Sequence, residues 1–381
     1  MQWEALVERP SFGVRRSGRF LVADLLAPHR VLSTSERNGG ASDDVRHLLN
    51  HQSCEGSAHH ERHEAISGHG LDAYHDVVCR EAGVPSGLTA VMGTAANMNY
   101  TAMVTLADRA LEVTALVTAG VEGNATCAGD PAQWRETEAG TEKVLYEGTI
   151  NTIVLINTPV TPATLARAVV MMTEGKTAGL LRLAVPSRKS ESLATGTGTD
   201  QYCIAAPRGR ADGAWSVVLT SASPHLKLGE LIGAATRDAT VEALRWQNGL
   251  EPSYTRGVFH ALGRFGVKEA TFFDDIAARL SERDLELLRK NSKSALYEPL
   301  VGAAAHAFAA VLDRVRFGML PAGVAGEALV QQAANLGVSL AAQTERWTEF
   351  RAKLSRVGSE DPKQLALAAI ALGWSEKWRA R

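Results

Sequence analysis

Two charged residues, Glu174 and Lys176, lie in a segment that is otherwise apolar and has helical periodicity. Advanced at ~100° per residue, Leu165, Val169, Met172, Lys176, Leu180 and Leu183 form one stripe with the ammonium in its middle. Val170, Met171, Thr177 and Leu181 surround Glu174 on the other side. A helix apolar nearly all round belongs between layers, where each charge is costly unless it is paired or used. The two residues are ~200° apart around the axis and cannot pair with each other. Either a partner such as Asp200 completes a buried ion-pair network, or the charges serve chemistry.

Histidine is the second candidate for chemistry. Seven of the eleven histidines fall between His47 and His75: His47, His51, His59, His60, His63, His69 and His75. His59 and His63 would share a helical face, as a metal site needs, but the segment is polar and glycine-bounded and lacks His-Glu-x-x-His. No metal ligand set is assigned. His51, in Leu49-Asn50-His51-Gln52, suits either a general base at the edge of a core or an ordinary buried histidine. The turn Thr195-Gly196-Thr197-Gly198-Thr199-Asp200 offers hydroxyls and a carboxylate to a polar ligand or an amide, or else makes a strand entry. It does not match a phosphate-binding loop, and the chain has no Gly-x-Ser-x-Gly elbow. Cys54, Cys79, Cys127 and Cys203 are widely spaced and read as packing residues.

The elements that position these residues change character near residue 250. Before it, β-branched runs alternate with glycine-rich turns, and strands are expected at 19–26, 30–33, 88–92, 111–118, 149–157, 201–205 and 215–220. The run from Thr149 to Asn157 is apolar on both alternating sets and belongs in the middle of a layered structure. Thr161-Pro162 then supplies a cap and a first-turn proline for a helix reaching about Leu183. A further helix is expected at 226–246. After Ser253 the periodicity is helical, with helices expected at 271–290, 299–316, 325–335, 339–356 and 362–372. The expected fold is α/β, a layered sheet-and-helix catalytic domain over 1–248, of which an αββα sandwich is one form. An all-α region follows over 249–381.

The chain has 381 residues, 45% of them apolar, with 40 basic and 42 acidic side chains, enough for a substantial core and without the charge of a general nucleic-acid binder. The first twenty residues lack an apolar stretch, and no apolar run approaches the ~20 residues of a membrane span, so a cytoplasmic protein without membrane partners is expected.

Several motifs together resemble the adenosylcobinamide amidohydrolase family. They are Val31-Leu32-Ser33-Thr34 with Asn38-Gly39-Gly40, Asn50-His51-Gln52, Gly93-Thr94-Ala95-Ala96-Asn97, and Val117-Thr118-Ala119-Gly120-Val121 with Gly123-Asn124-Ala125. Gly148-Thr149-Ile150-Asn151, Glu174-Gly175-Lys176-Thr177-Ala178, the Ala194–Asp200 turn and His225-Leu226-Lys227-Leu228-Gly229-Glu230 continue the series. The order spans residues 10 to 246. Glycine at 175, where alanine is expected, and a long histidine-rich loop are departures.

The resemblance implies hydrolysis of the amide joining a corrin propionyl side chain to 1-aminopropan-2-ol, which turns adenosylcobinamide into adenosylcobyric acid. Complete adenosylated corrinoids such as adenosylpseudocobalamin are further candidate substrates. The implied partner is this small molecule, with a homo-oligomer allowed, and the cobalt comes with it, so no protein cofactor is expected. The corrinoid signature Asp-x-His-x-x-Gly is absent from the chain. Amide cleavage needs a nucleophile or activated water, a base, an oxyanion stabiliser and an acid. The motifs offer Lys176, Glu174, His51, Thr118, Asn124 and Asn151 as catalytic candidates. Thr94, Asn97, Thr149, Thr197, Thr199, Asp200 and His225 are candidates for substrate binding. In the preferred arrangement His51 or Glu174 activates a threonine or water, Asn124, Asn151 or the Thr118–Gly120 backbone holds the oxyanion, and Lys176 supplies charge. A non-catalytic corrinoid carrier and an amide hydrolase with another substrate are the alternatives. The Thr149-led strand and proline-started helix are also similar to αββα aminopeptidases and ornithine acetyltransferases, which use an N-terminal threonine or serine freed by self-cleavage.

Overall fold

A computed structural model describes residues 2–55, 70–132, 136–137, 140–141, 148–208 and 217–379. The chain forms two compact units, Met1–Lys189 with Leu193–Gly249, and Ser190–Ser192 with Leu250–Arg381.

The first unit is a four-layer αββα sandwich. Strands β1 (Glu4–Glu8), β2 (Phe12–Ser17), β3 (Phe20–Leu25), β6 (His47–Gln52) and β7 (Thr89–Thr94) make one sheet in the order β1-β2-β3-β6-β7. The second sheet is built from β4 (His29–Ser33), β5 (Gly40–Ser42), β8 (Ala102–Asp108), β9 (Leu111–Ala119), β13 (Ile150–Ile156) and β15 (Gln201–Pro207). Its order is β5-β4-β15-β13-β9-β8. Two-residue ladders complete the strands, β10 (Ala125–Thr126) with β14 (Gly196–Thr197), and β11 (Glu136–Thr137) with β12 (Gly140–Thr141).

Period-two alternation builds the layers. Phe12, Val14, Leu21, Leu48 and Met92 from one sheet meet Val31, Leu116, Ile153, Leu155 and Cys203 from the other. The alternate set on the first sheet, Phe20, Val22, Leu49 and Val91, packs on α1 (Leu71–Ala82) through Val78, Cys79 and Ala82. Helices α2 (Pro162–Arg182) and α3 (Lys227–Asn248) cover the outer face of the second sheet.

The start of α2 follows the sequence signal, since Pro162 occupies its first turn and the Thr161 hydroxyl accepts from the Thr164 N–H. Its surroundings differ from the expectation of a helix enclosed on all sides. Val170, Glu174 and Leu181 form an exposed stripe, because α2 lies in an outer layer with one face in water. Gly175 and Gly179 face α3; a Cβ on Gly175 would stand 2.4 Å from the Gly233 carbonyl oxygen. That close crossing accounts for glycine where alanine was expected. The expected strand at 215–220 lies partly outside the described residues. Within 217–220 only Leu219 makes a bridge, to Val160.

The second unit consists of helices α4 (Pro252–Thr255), α5 (Val258–Leu262), α6 (Phe272–Ala277), α7 (Glu282–Lys290), α8 (Ser292–Leu296), α9 (Pro299–Arg316), α10 (Ala322–Ala341), α11 (Trp347–Leu354) and α12 (Pro362–Glu376). Phe272, Phe308, Phe350, Leu365 and Ile370 are in its core. The expected helix at 271–290 is split because the Ser281 side chain caps α7 at the Asp284 N–H. Gly337 is a packing residue inside α10 and does not end a helix, since a Cβ there would stand 2.8 Å from the Phe350 ring. The break comes at Ala342, in the left-handed conformation with φ 56°. Among the described residues no helix is long and apolar enough to cross a membrane.

Candidate active site

One end of the sandwich is polar on its inside. Asn151 on β13 lies opposite Thr118 on β9 and Gln201 on β15. Its amide donates to Asn50 Oδ1 across the sheets at 2.8 Å and to the Gly93 carbonyl at 3.1 Å. The Asn50 amide donates to Thr118 Oγ1 at 2.8 Å, and the Gly93 N–H donates to Gln201 Oε1 at 2.9 Å. Two residues further along their strands, on the same faces, stand Leu48, Leu116 and Ile153 of the core. The belt ties the sheets together beside the first residue of β13.

Next to it is the Lys176–Asp200 ion pair, with side chains 13% and 19% exposed. Lys176 reaches it from α2, and Asp200 closes the glycine-threonine turn. Asp200 Oδ2 takes the ammonium, while Oδ1 accepts from the Ile150 N–H at 3.2 Å, the Thr197 N–H at 3.1 Å and the Thr197 hydroxyl. Gly196 leaves room for the pair: a Cβ there would stand 2.5 Å from Asp200 Oδ2 and 2.7 Å from Lys176 Nζ. Among the described residues Asp200 is the partner of the Lys176 ammonium, which carries three N–H donors.

Thr149 precedes the strand residue whose N–H binds Asp200. Its hydroxyl lies 2.6 Å from the Thr199 hydroxyl, which donates to the Gly148 carbonyl at 3.0 Å. Thr199 has one proton and gives it to that carbonyl, so Thr149 is the donor between the two hydroxyls. The Asn124 amide donates to the Gly148 carbonyl at 3.2 Å and to Thr199 Oγ1 at 3.3 Å. Gly148 has φ 103°, and a Cβ would stand 2.6 Å from the Gly120 carbonyl oxygen, so only glycine fits.

The structure thus brings together Thr118, Asn124, Thr149, Asn151, Lys176, Thr197, Thr199 and Asp200. Donor counting redirects two of them. Both amide protons of Asn124 and of Asn151 are committed within the network, so neither has one left for an oxyanion. Asn151 Oδ1, by contrast, is a buried acceptor without a hydrogen-bond partner among the described residues.

Other candidates lie elsewhere or act locally. Glu174 is exposed on the outer face of α2, and His225 is exposed just before α3. His51 is fully buried on the α1 side of its sheet, stacked on Phe20 with ring centroids 4.9 Å apart and Nδ1 2.7 Å from the Tyr74 hydroxyl. It points to the opposite face from Asn50. Thr94 Oγ1 accepts from the Ala96 N–H and Asn97 Oδ1 from the Asn99 N–H, so both shape the turn after β7. His59, His60, His63 and His69 lie outside the described residues. His47 is 2.7 Å from Asp24 Oδ1, and His75 is 3.0 Å from the Ser86 carbonyl. Among the described residues no three His, Cys, Asp or Glu side chains group as metal ligands. Burial pushes the Cys203 thiol up to about 12 and the Cys79 thiol up to about 11, which keeps both protonated. Gly148 stands in the Gly148-Thr149-Ile150-Asn151 motif without a role assigned from the sequence, and Gln201, set by its register beside Asn151, is a site residue that sequence reasoning missed.

The sequence model of the adenosylcobinamide amidohydrolase family (CbiZ) matches residues 4–252. An uncharacterized protein of Methanocaldococcus jannaschii is 31% identical over 186 residues, 46% of this chain and 70% of its own length. Among solved structures, a Pyrococcus horikoshii OT3 protein is 13% identical, with a TM-score of 0.30 over 64% of this chain and 82% of its own. A β-aminopeptidase of Burkholderia sp. is 15% identical, with a TM-score of 0.31 over 62% of this chain and 81% of its own. The family match runs through every strand of both large sheets and through α1 to α3, and on it the chain belongs to the adenosylcobinamide amidohydrolase family.

Proposed function

We propose that the sandwich unit hydrolyses the amide between the corrin propionyl side chain and 1-aminopropan-2-ol of adenosylcobinamide, releasing adenosylcobyric acid. Family membership supports the substrate class. The observation that carries the chemistry is the hydrogen-bonded run from Thr149 through Thr199, with Asp200 and Lys176 beside it.

In this reading the Thr149 hydroxyl attacks the amide carbon. Thr199 Oγ1 takes its proton while Thr199 turns its own from the Gly148 carbonyl to the departing amine. Lys176, with one N–H on Asp200, donates another to the oxyanion. Collapse of the tetrahedral intermediate breaks the C–N bond, the amine leaves with the relayed proton, and water hydrolyses the acyl-Thr149 ester. Asp200 positions the ammonium and, through the Ile150 N–H, the first residue of β13. The test is turnover of adenosylcobinamide: Thr149→Ala and Lys176→Ala should fold and lose it, while Thr149→Ser keeps a measurable rate. Wild-type rates in Thr149→Ala would remove the hydroxyl from the mechanism.

The two side-chain donors on the Gly148 carbonyl favour a second reading of the same site. They polarise the peptide that precedes Thr149. Attack of Thr149 Oγ on that carbonyl would shift the acyl group from nitrogen to oxygen and free the Thr149 amine, and hydrolysis of the ester would then release the Thr149 hydroxyl as nucleophile with that amine as its base. A purified active chain of undivided mass would remove this reading and leave the first intact.

A further inference from the structure

Two aromatic side chains are exposed among the described residues of the sandwich unit, Tyr100 at 39% and Trp246 at 65%. Both belong to the end of the unit that carries the Thr149 network. Trp246 is in the last turn of α3, where the next two side chains are tied to the loops of the site. Gln247 Oε1 accepts from the Asn97 N–H at 2.9 Å, and Asn248 Oδ1 accepts from the Val121 N–H at 3.2 Å. Gln247 Cγ lies 3.9 Å from the position of a Gly120 Cβ, and the Gly120 carbonyl closes over Gly148. The Tyr100 N–H donates to the Asn97 carbonyl at 3.0 Å, so both aromatic residues are carried by segments joined at Asn97. The indole N–H of Trp246 donates to Glu242 Oε1 at 2.8 Å, which satisfies its one polar group and leaves the ring as apolar surface.

We propose that Trp246, assisted by Tyr100, is a stacking platform for a flat conjugated ring of the ligand whose amide reaches Thr149. The inference rests on the proposed function, because the adenosylated corrinoid supplies two such rings, the adenine and the corrin. A large indole face left in water on the helix turn that holds the loops of the site is surface that a π-system covers with gain, by roughly tenfold or more in affinity per stacked ring.

The test uses the full-length protein with Trp246→Ala, Trp246→Leu and Trp246→Phe, read by KM, kcat and melting temperature. Binding to adenosylcobinamide and to non-adenosylated cobinamide is measured alongside. Trp246→Ala and Trp246→Leu should raise KM for adenosylcobinamide about tenfold with kcat within about twofold, and Trp246→Phe should restore most of the affinity. Weakening confined to the adenosylated form assigns the indole to adenine; weakening of both forms assigns it to the corrin. Trp246→Leu with wild-type affinity for both ligands overturns the platform alone. A wild-type protein that neither binds nor cleaves adenosylcobinamide overturns the functional reading and the platform with it.

Discussion

In the proposed reaction the Lys176 ammonium, with one proton committed to a carboxylate that already has three other donors, binds the oxyanion with another. Loss of such a donor raises a barrier by about 3 kcal/mol, so Lys176→Ala should lower kcat by roughly a hundredfold or more. Glu174→Gln should stay within about twofold, since that side chain is in water. Turnover assays on the two variants separate these outcomes. Periodicity made Lys176 legible in the sequence, because a lysine in an apolar stripe demands a partner. The same reasoning enclosed Glu174, since one helix's pattern does not tell which of two apolar faces meets protein. His51 failed for a different reason: one step along a strand exchanges faces, so Asn50 enters the site and His51 leaves it.

A second residue-level prediction concerns His29, buried on β4 with Nδ1–H donating to the Ala27 carbonyl at 2.7 Å and Nε2 without a partner among the described residues. Burial holds its pKa below the ordinary 6.5, with Arg46 adding to the effect. The unfolded chain therefore binds a proton that the folded chain refuses. This contribution to stability is complete above about pH 6.5 and is lost as pH falls from there through the lower folded value. His29→Gln should flatten the dependence of melting temperature on pH over that window. An unchanged slope would contradict the assignment.

At the scale of elements, the site depends on how closely α2 approaches α3 and the glycine-threonine turn. Gly175→Ala places a methyl against the Gly233 carbonyl and should destabilise the unit by about 1–3 kcal/mol, seen as a lower melting temperature. Gly196→Ala acts at the other end of Lys176. Its Cβ meets the ion pair itself, so activity should fall by more than stability does. A variant that keeps full turnover would show that the pair tolerates displacement. The sequence made β13 and α2 legible, through an apolar run on both alternating sets and the Thr161-Pro162 start. It did not expose β1, β2, β6 or β8, whose polar residues, such as Arg15, Arg16, Asn50 and Thr105, interrupt the apolar runs that mark strands. Asn50 hydrogen-bonds to Thr118 and Asn151 across the sheets, and that polarity made its strand hard to read.

At the scale of the molecule, each unit has a core of its own. The sandwich core draws on residues from Phe12 to Cys203 and Ala205, and the helical core on Val258 to Trp374. A chain ending at Gly249 is therefore expected to fold, as circular dichroism would report, and to retain turnover; an unfolded product would contradict independent folding, and a folded but inactive one would assign the helical unit a part in the reaction. The change of composition near residue 250 was visible in the sequence, whereas the close crossings at Gly175 and Gly337 depend on contacts between distant segments that no single pattern encodes.

The proposed reaction of this sandwich is cleavage of an amide of an adenosylated corrinoid. Mass analysis of adenosylcobinamide incubated with the purified protein tests it most directly, with the non-adenosylated form as control. Adenosylcobyric acid and free 1-aminopropan-2-ol should form, and should be lost in Thr149→Ala and Lys176→Ala. Adenosylcobinamide bound and recovered intact would contradict it and identify a carrier instead.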